Sequence, residues 1–214
     1  MPSKFRIRYI FRPLVEIIAK GLIKIGITPN IATFLMFFFA IISAISLVIF
    51  SNLLLFAFFI FITGIMDGCD GAIARLTNKS SSFGGFFDSV MDRFSEFIIF
   101  LGLLIYCWDE LLWKYIDMKI IIILSFLSSI MISYIRTRAQ VSLKGDSNIG
   151  DLDIGLMARS ERLFYIFLIM VIAFFYGLMN ELLFTFMWLV IGTAIYRFAK
   201  INKMIKKQVD QIKD

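Results

Sequence analysis

Four aspartates lie in a strongly apolar part of the chain, where a carboxylate needs a chemical reason. Asp67 and Asp70 follow the run FAFFIFITGIM, and Asp88 and Asp92 precede the run FIIFLGLLIY. A carboxylate inside a membrane-spanning segment costs about 2.5–3.5 kcal/mol on insertion scales, so packing alone does not explain the cluster. Helical i,i+3 and i,i+4 spacings place each pair on one face. Two such faces brought together would form an all-oxygen site for divalent cations.

Small residues accompany these carboxylates. Gly71 and Ala74 lie on the same helical face as Asp67 and Asp70. Gly84 precedes Asp88 and Asp92 at the same step of four, so these three residues share a face of the next helix. Because Gly71, Ala74 and Gly84 lack bulky side chains, a large ligand can approach the backbone there. The linker 76–82 is short and polar, which predicts that the two helices are antiparallel neighbours.

Composition places this chain in the membrane. Of its 214 residues, 60% are hydrophobic, which exceeds the roughly 45–50% usual in soluble domains. Histidine is absent, so imidazole metal sites, histidine bases and Ser-His-Asp triads are excluded. The net charge of +6 is a topology signal and an attraction to anionic lipid, since no aromatic-basic pattern indicates a nucleic-acid partner.

Apolar runs of about 20 residues are long enough to cross the hydrocarbon core as helices. We therefore expect an all-α integral membrane protein, with a single domain over residues 1–214 and a six-helix transmembrane bundle over residues 31–200. The six predicted spans are residues 31–50, 53–74, 83–107, 120–138, 156–176 and 182–200.

Basic residues predict the orientation of the bundle. They concentrate in the N-terminal segment 4–24 and in the tail 201–214, which places both termini and the aspartate cluster on the cytoplasmic side of the cell membrane. In the segment 4–24, charged residues recur every four positions and apolar residues line another face. This pattern predicts a juxtamembrane amphipathic helix on the cytoplasmic surface. The tail 201–214 is expected to be a basic cytoplasmic extension.

The pattern D-x2-D-G-x2-A-R-x8-G-x3-D-x3-D, from Asp67 to Asp92, resembles the signature of the CDP-alcohol phosphotransferases. In that family an acceptor hydroxyl attacks the β-phosphorus of a CDP-alcohol and CMP leaves. The resemblance implies that all four aspartates serve two divalent cations, Mg or Mn, with Asp92 also as the general base or as the residue that aligns the hydroxyl. It further implies a CDP-lipid donor, a homodimer, and a cytidine site formed by Gly71, Ala74, Arg75 and Gly84.

Arginines near the predicted cytoplasmic face suggest an acceptor that already carries a phosphate, because guanidinium forks suit phosphate oxygens. The segments 133–139 (SYIRTRA) and 155–163 (GLMARSERL) resemble the phosphatidylinositol-phosphate and archaetidylinositol-phosphate synthases. This resemblance implies L-myo-inositol 1-phosphate as the acceptor, with sn-glycerol 3-phosphate as the alternative phosphorylated polyol. The predicted acceptor-phosphate residues are Arg136, Arg138, Arg159, Arg162 and Arg197.

Intramembrane carboxylates also mark ion pathways, so an ion-coupled transporter is the alternative from another class. Transport favours acids near the midplane and broken helices in paired repeats. Here the acids crowd one end of one helical hairpin, and no internal repeat is visible.

Overall fold

The computed structural model describes residues 10–142, 155 and 157–213, with side-chain surroundings up to residue 206. In this part of the chain there are seven helices and one short β-hairpin. The helices are α1 (Arg12–Lys24), α2 (Pro29–Val48), α3 (Leu53–Leu76), α4 (Ser82–Tyr106), α5 (Met118–Ser142), α6 (Arg159–Tyr176) and α7 (Met179–Lys213). The strands are β1 (Leu111–Leu112) and β2 (Ile116–Asp117).

Polar side chains set the start of three helices by accepting hydrogen bonds from free backbone N–H groups. Thr28 Oγ1 accepts from the third following residue at 3.4 Å before α2, and Asn52 Oδ1 does the same at 3.0 Å before α3. Ser81 Oγ accepts from the Gly84 N–H at 3.0 Å before α4. The last cap matters most, because it fixes the turn between the two aspartate-bearing helices.

Four of the described helices are long and apolar enough to cross a membrane, namely α2, α3, α5 and the part of α7 over Met179–Lys206. Helices α4 and α6 occupy the third and fifth predicted spans, but charged residues lower their apolar character. In α6 these residues are Arg159, Glu161 and Arg162 in the first turn.

Two departures from the sequence-based bounds are the largest in the described structure. Helix α7 continues to Lys213, so the described part of the predicted tail is helical. Before α5, the chain forms an antiparallel hairpin in which Leu112 pairs with Ile116. The hairpin turn contains Trp113 and Lys114 at φ of +50° and +68°. Neither tryptophan nor lysine favours positive φ, so this turn could not be expected from the sequence.

The main hydrophobic core runs between α2, α3, α4, α5, α6 and α7. Helix α3 packs against α2 and α6, and α5 packs against α7. Close approach is possible where small residues meet, since a Cβ on Gly102 of α4 would lie 3.1 Å from the Ala44 Cα of α2. Small residues commonly allow such helix contacts in membrane proteins. This packing fixes α4 beside α2.

Helix α1 turns its apolar face toward α3 rather than only toward lipid. Val15, Ile18 and Leu22 pack on a small core that includes Cys69 and Ile73. On the exposed side, Arg12 donates to the Glu16 carboxylate at 2.9 Å, and this hydrogen bond lowers the pKa of the carboxyl below its usual range. The predicted residues 4–9 of this helix lie outside the described part of the chain.

Candidate active site

Three of the four sequence-predicted aspartates converge where the C-terminal part of α3 meets the N-terminal part of α4, two helices that each pack against α2. Oxygen atoms of Asp67, Asp88 and Asp92 all lie within 4.8 Å of one another, and each side chain is partly buried. Asp67 comes from the C-terminal half of α3, and the other two come from successive turns of α4. Carboxylates that are separated along two helices therefore form one cluster in the folded chain.

Asp70 completes the acidic group from one turn further along α3. Its carboxylate is 6% exposed and accepts a hydrogen bond from Thr33 Oγ1 of α2 at 2.8 Å. The same hydroxyl lies 3.2 Å from the Pro29 carbonyl oxygen. Helix α2 thus orients this carboxylate toward a cavity that Asp70 shares with Asp88.

That cavity measures about 220 Å³ and opens where α2, α3 and α4 meet the 77–81 linker. The four residues predicted for the cytidine site all line it. The further lining residues come mainly from the start of α2 and from the linker. The lining consists of Pro29, Asn30, Thr33, Asp70, Gly71, Ala74, Arg75, Lys79, Ser80, Ser81, Gly84, Gly85 and Asp88.

Two glycines keep this cavity open. A Cβ on Gly71 would lie 3.3 Å from Arg75 Nη1. A Cβ on Gly84 would lie 3.1 Å from Ser81 Oγ and 3.6 Å from Asn30 Oδ1. Both positions therefore border polar side chains that a methyl group would displace.

Arg159, the first residue of α6, reaches the carboxylate cluster. Its guanidinium donates to Asp67 and forms an ion pair with Asp92. The arginine side chain is 12% exposed, so solvent screens this contact only weakly. Of the five predicted acceptor arginines, Arg159 is the one that the structure brings into contact with the acidic cluster in the described residues.

Arg162, one turn further along α6, has a different environment from the predicted one. Its Nε and Nη2 atoms donate to the two oxygens of Glu96 at 2.8 and 3.0 Å, and Nη1 donates to the Met157 carbonyl oxygen at 2.9 Å. Ser129 of α5 also donates to Glu96. Arg162 and Glu96 are 1% and 2% exposed. In this structure protein acceptors enclose the guanidinium, and a direct contact between Arg162 and the acceptor phosphate stays a prediction.

The three remaining predicted arginines lie on α5 and α7. Arg136 is partly exposed and Arg138 is exposed. Arg197 is 2% exposed and donates through Nη1 to the Ile132 carbonyl oxygen at 3.0 Å. Helices α5 and α7 pack against each other, so the three arginines lie on neighbouring helices.

The carboxylate cluster fits divalent cations. Asp88 Oδ1 is a buried oxygen with no hydrogen-bond partner among the described residues, and a buried acceptor without a partner carries a desolvation cost. Carboxylate oxygens at this spacing are ligands that Mg²⁺ and Mn²⁺ accept. The donor set therefore suits a hard cation, which would supply the missing partner.

Sequence reasoning missed Glu96, Thr33 and Lys79. Glu96 could have been found, since it continues the stripe of Gly84, Asp88 and Asp92 at the same step of four. Thr33 and Lys79 carry no such signal, because their place at the cavity depends on how α2 and the linker pack against α3.

Comparison with known proteins gives a consistent result. The family model for CDP-alcohol phosphatidyltransferases matches residues 26–196. An archaetidylinositol phosphate synthase of Pyrococcus horikoshii is 34% identical over 171 residues, which cover 78% of this chain and 81% of that protein. A phosphatidylinositol phosphate synthase of Mycobacterium tuberculosis is 31% identical over 160 residues, covering 74% and 70%.

Two solved structures of the Mycobacterium tuberculosis phosphatidylinositol phosphate synthase share the fold. The structure with CDP-DAG bound has a TM-score of 0.73 and 25% identity, over 88% of this chain and 94% of that one. The complex with manganese and citrate has the same TM-score and identity, over 87% and 88%. With its full aspartate signature, its cavity and its apolar helices, this chain belongs to the CDP-alcohol phosphatidyltransferase family.

Proposed function

We propose that this membrane enzyme transfers the phosphatidyl or archaetidyl group of a CDP-lipid to L-myo-inositol 1-phosphate and releases CMP. The observation that carries the proposal is the position of Asp88, which lines the cavity and also belongs to the carboxylate cluster. A diphosphate held in the cavity would thus lie beside the cation ligands. The names of the relatives at 34% and 31% identity support inositol phosphate as the acceptor.

The cofactors in this proposal are two divalent cations, Mg or Mn. Asp67, Asp70 and Asp88 would hold them, with Asp92 at the second ion. Two such ions supply charge neutralisation of the diphosphate and stabilise its entering and leaving oxygens. The manganese complex of the mycobacterial synthase supports this choice of metal.

The donor site is the cavity. Gly71, Ala74 and Gly84 leave room for the cytidine, and Arg75 lies where it can pair with a nucleotide phosphate. Lys79 and the 80–81 serines add polar groups on the linker side. The lipid tails of the donor would extend along the apolar helices, in the hydrocarbon region that the bilayer lipids also occupy.

The acceptor site lies on the α6 side of the cluster. Arg159 would pair with the phosphate of the acceptor, and Arg136, Arg138 and Arg197 would add positive charge. Asp92 would align the attacking hydroxyl and take its proton. The hydroxyl oxygen bonds to the β-phosphorus while the bond from that phosphorus to the bridging oxygen breaks, so CMP carries that oxygen away.

The membrane arrangement in this proposal has six spans. Helix α6 is 18 residues long, or about 27 Å at 1.5 Å per residue, which is close to the hydrocarbon thickness. It packs along α3, and α4 packs along α2, so the charged faces of both helices are turned away from lipid. We propose one domain of this kind, with both termini and the site on the cytoplasmic side of the cell membrane and α1 on that surface.

A homodimer is part of the proposal. Several helices expose large apolar side chains, which could pack against a second copy of the chain. No nucleic-acid partner is proposed.

The test is CMP release by purified protein with Mg²⁺ and a CDP-lipid, using three acceptors in parallel. Inositol 1-phosphate, glycerol 3-phosphate and unphosphorylated inositol separate the polyol from its phosphate. We expect release with inositol 1-phosphate and none above background with inositol. Release with glycerol 3-phosphate alone would keep the family chemistry and overturn the proposed acceptor.

A further inference from the structure

Glu96 is a buried carboxylate that the aspartate signature does not contain. It lies one turn beyond Asp92 on α4, and its partner Arg162 lies one turn beyond Arg159 on α6. The two helices therefore meet through two successive acidic-basic contacts, Asp92 with Arg159 and Glu96 with Arg162. The first contact is at the reacting cluster and the second is inside the bundle.

The geometry of the inner contact is restrictive. Two guanidinium nitrogens of Arg162 meet two oxygens of Glu96 at 2.8 and 3.0 Å. Such a bidentate arrangement fixes orientation as well as distance. The third nitrogen holds the Met157 carbonyl oxygen just before α6 begins. The pair thus fixes the position of the first turn of α6, which carries Arg159.

Glu96 also joins the helix of the other predicted acceptor residues. Ser129 of α5 donates to it, and Arg136 lies seven positions further along α5, on the same helical face. One carboxylate therefore connects α4, which bears Asp88 and Asp92, with the two helices that bear Arg136 and Arg159.

We propose that Glu96, acting through Arg162 and Ser129, is a positioning residue for the phosphorylated acceptor. It holds the first turn of α6, and with it Arg159, at the carboxylate cluster, and it ties α5 to the same point. The donor cavity is built mainly from α2, α3, the linker and the start of α4, so it does not depend on these contacts. This inference rests on the proposed function, because it assigns the acceptor to the α6 side.

The test compares acceptor and donor kinetics in variants of the pair. Glu96→Gln keeps the shape and removes the charge, and Arg162→Lys removes the bidentate fork. In both we expect the KM for inositol 1-phosphate to rise about tenfold or more, because a small misplacement is costly. The KM for the CDP-lipid should change by less than about twofold, since its contacts are untouched. Equal shifts in both constants would overturn the proposal.

Two further variants separate positioning from stability. Leu163→Ala empties a core position beside Arg162, at 2% exposure, and should lower the melting temperature while leaving the ratio of the two KM values unchanged. Glu96→Gln/Arg162→Met removes both charges, so no buried charge is left unpaired. We expect this double variant to fold and still bind the acceptor weakly. A normal acceptor KM in the double variant would show that the pair only balances charge and would contradict the proposal.

A readout independent of turnover is the rise in melting temperature caused by saturating acceptor. We expect this rise in the wild type and in Leu163→Ala, and its loss in Glu96→Gln. If the wild type responds to glycerol 3-phosphate and not to inositol 1-phosphate, the proposed acceptor fails, and the positioning role is decided by the same comparison with glycerol 3-phosphate. A rise that persists in Glu96→Gln would overturn the inference.

Discussion

Arg159 and Asp67 lie 92 positions apart in the sequence, yet the guanidinium of one donates to the carboxylate of the other. This contact brings the start of α6 to the carboxylate cluster between α3 and α4. It places a positive side chain at the border between the cation ligands and the proposed acceptor site, so both functions depend on it.

Arg159→Gln should therefore have opposite effects on two ligands. Removing a positive charge beside the carboxylates should tighten Mn²⁺ binding, by roughly several-fold. Losing a charged donor should raise the KM for inositol phosphate about 10- to 100-fold. Mn²⁺ affinity is measured by electron paramagnetic resonance, and Lys203→Gln, at an exposed position of α7, is the control. An unchanged Mn²⁺ affinity would place the ion away from Arg159.

Asp70→Asn should abolish turnover without unfolding the protein. The amide oxygen can still accept from Thr33, but it lacks the charge that a cation needs. We expect CMP release to fall by about three orders of magnitude, with Mn²⁺ binding weakened in parallel. Asp109→Asn, at an exposed position beyond α4, should retain both. Retained activity in Asp70→Asn would remove this carboxylate from the cation site.

Gly71→Ala should weaken donor binding selectively. Its methyl group would lie 3.3 Å from Arg75 Nη1, so the guanidinium must shift by a few tenths of an ångström from its place in the cavity. We expect the KM for the CDP-lipid to rise about tenfold, with the acceptor KM unchanged. Gly64→Ala on the same helix meets open space within 4 Å and should leave both constants as they are. Equal behaviour of the two variants would argue against cytidine binding at Gly71.

Gly68→Ala should reveal the contact between α1 and the aspartate turn of α3. The added Cβ would lie 3.0 and 3.1 Å from the two Val15 methyl carbons, and overpacking of this kind costs about 1–3 kcal/mol. Val15→Ala should destabilise the wild type by loss of packing and stabilise the Gly68→Ala protein by relief of the clash. Melting temperatures of the four proteins test this. Additive effects would mean that α1 does not pack there.

Local patterns were sufficient to predict the helices and the aspartate site. The runs of apolar residues located the helices, and Asp67, Asp70, Asp88 and Asp92 converge because helical periodicity places them on facing sides. The family signature located Gly71 and Gly84 at one cavity. These features are encoded within a few helical turns.

Longer-range features were not predictable in the same way. Arg162 was grouped with the acceptor arginines by its charge and by the resemblance of segment 155–163, but its partner Glu96 lies 66 positions away. No local pattern predicts the direction in which a guanidinium points. The hairpin before α5 was missed because Trp113 and Lys114 adopt positive φ without a residue type that favours it. Helices α4 and α6 contain more charged residues than the other predicted spans, and they are not among the four described helices that are apolar enough by composition to cross a membrane.

Identification of both reaction products tests the central claim most directly. Purified protein with Mg²⁺, a CDP-lipid and inositol 1-phosphate should form CMP and one new phosphodiester lipid in equal amounts, detected by mass spectrometry. Its mass should equal the donor plus the acceptor minus CMP, as attack at the β-phosphorus requires. Phosphatidic or archaetidic acid as the lipid product, or no new lipid with inositol 1-phosphate from folded protein, would contradict the account.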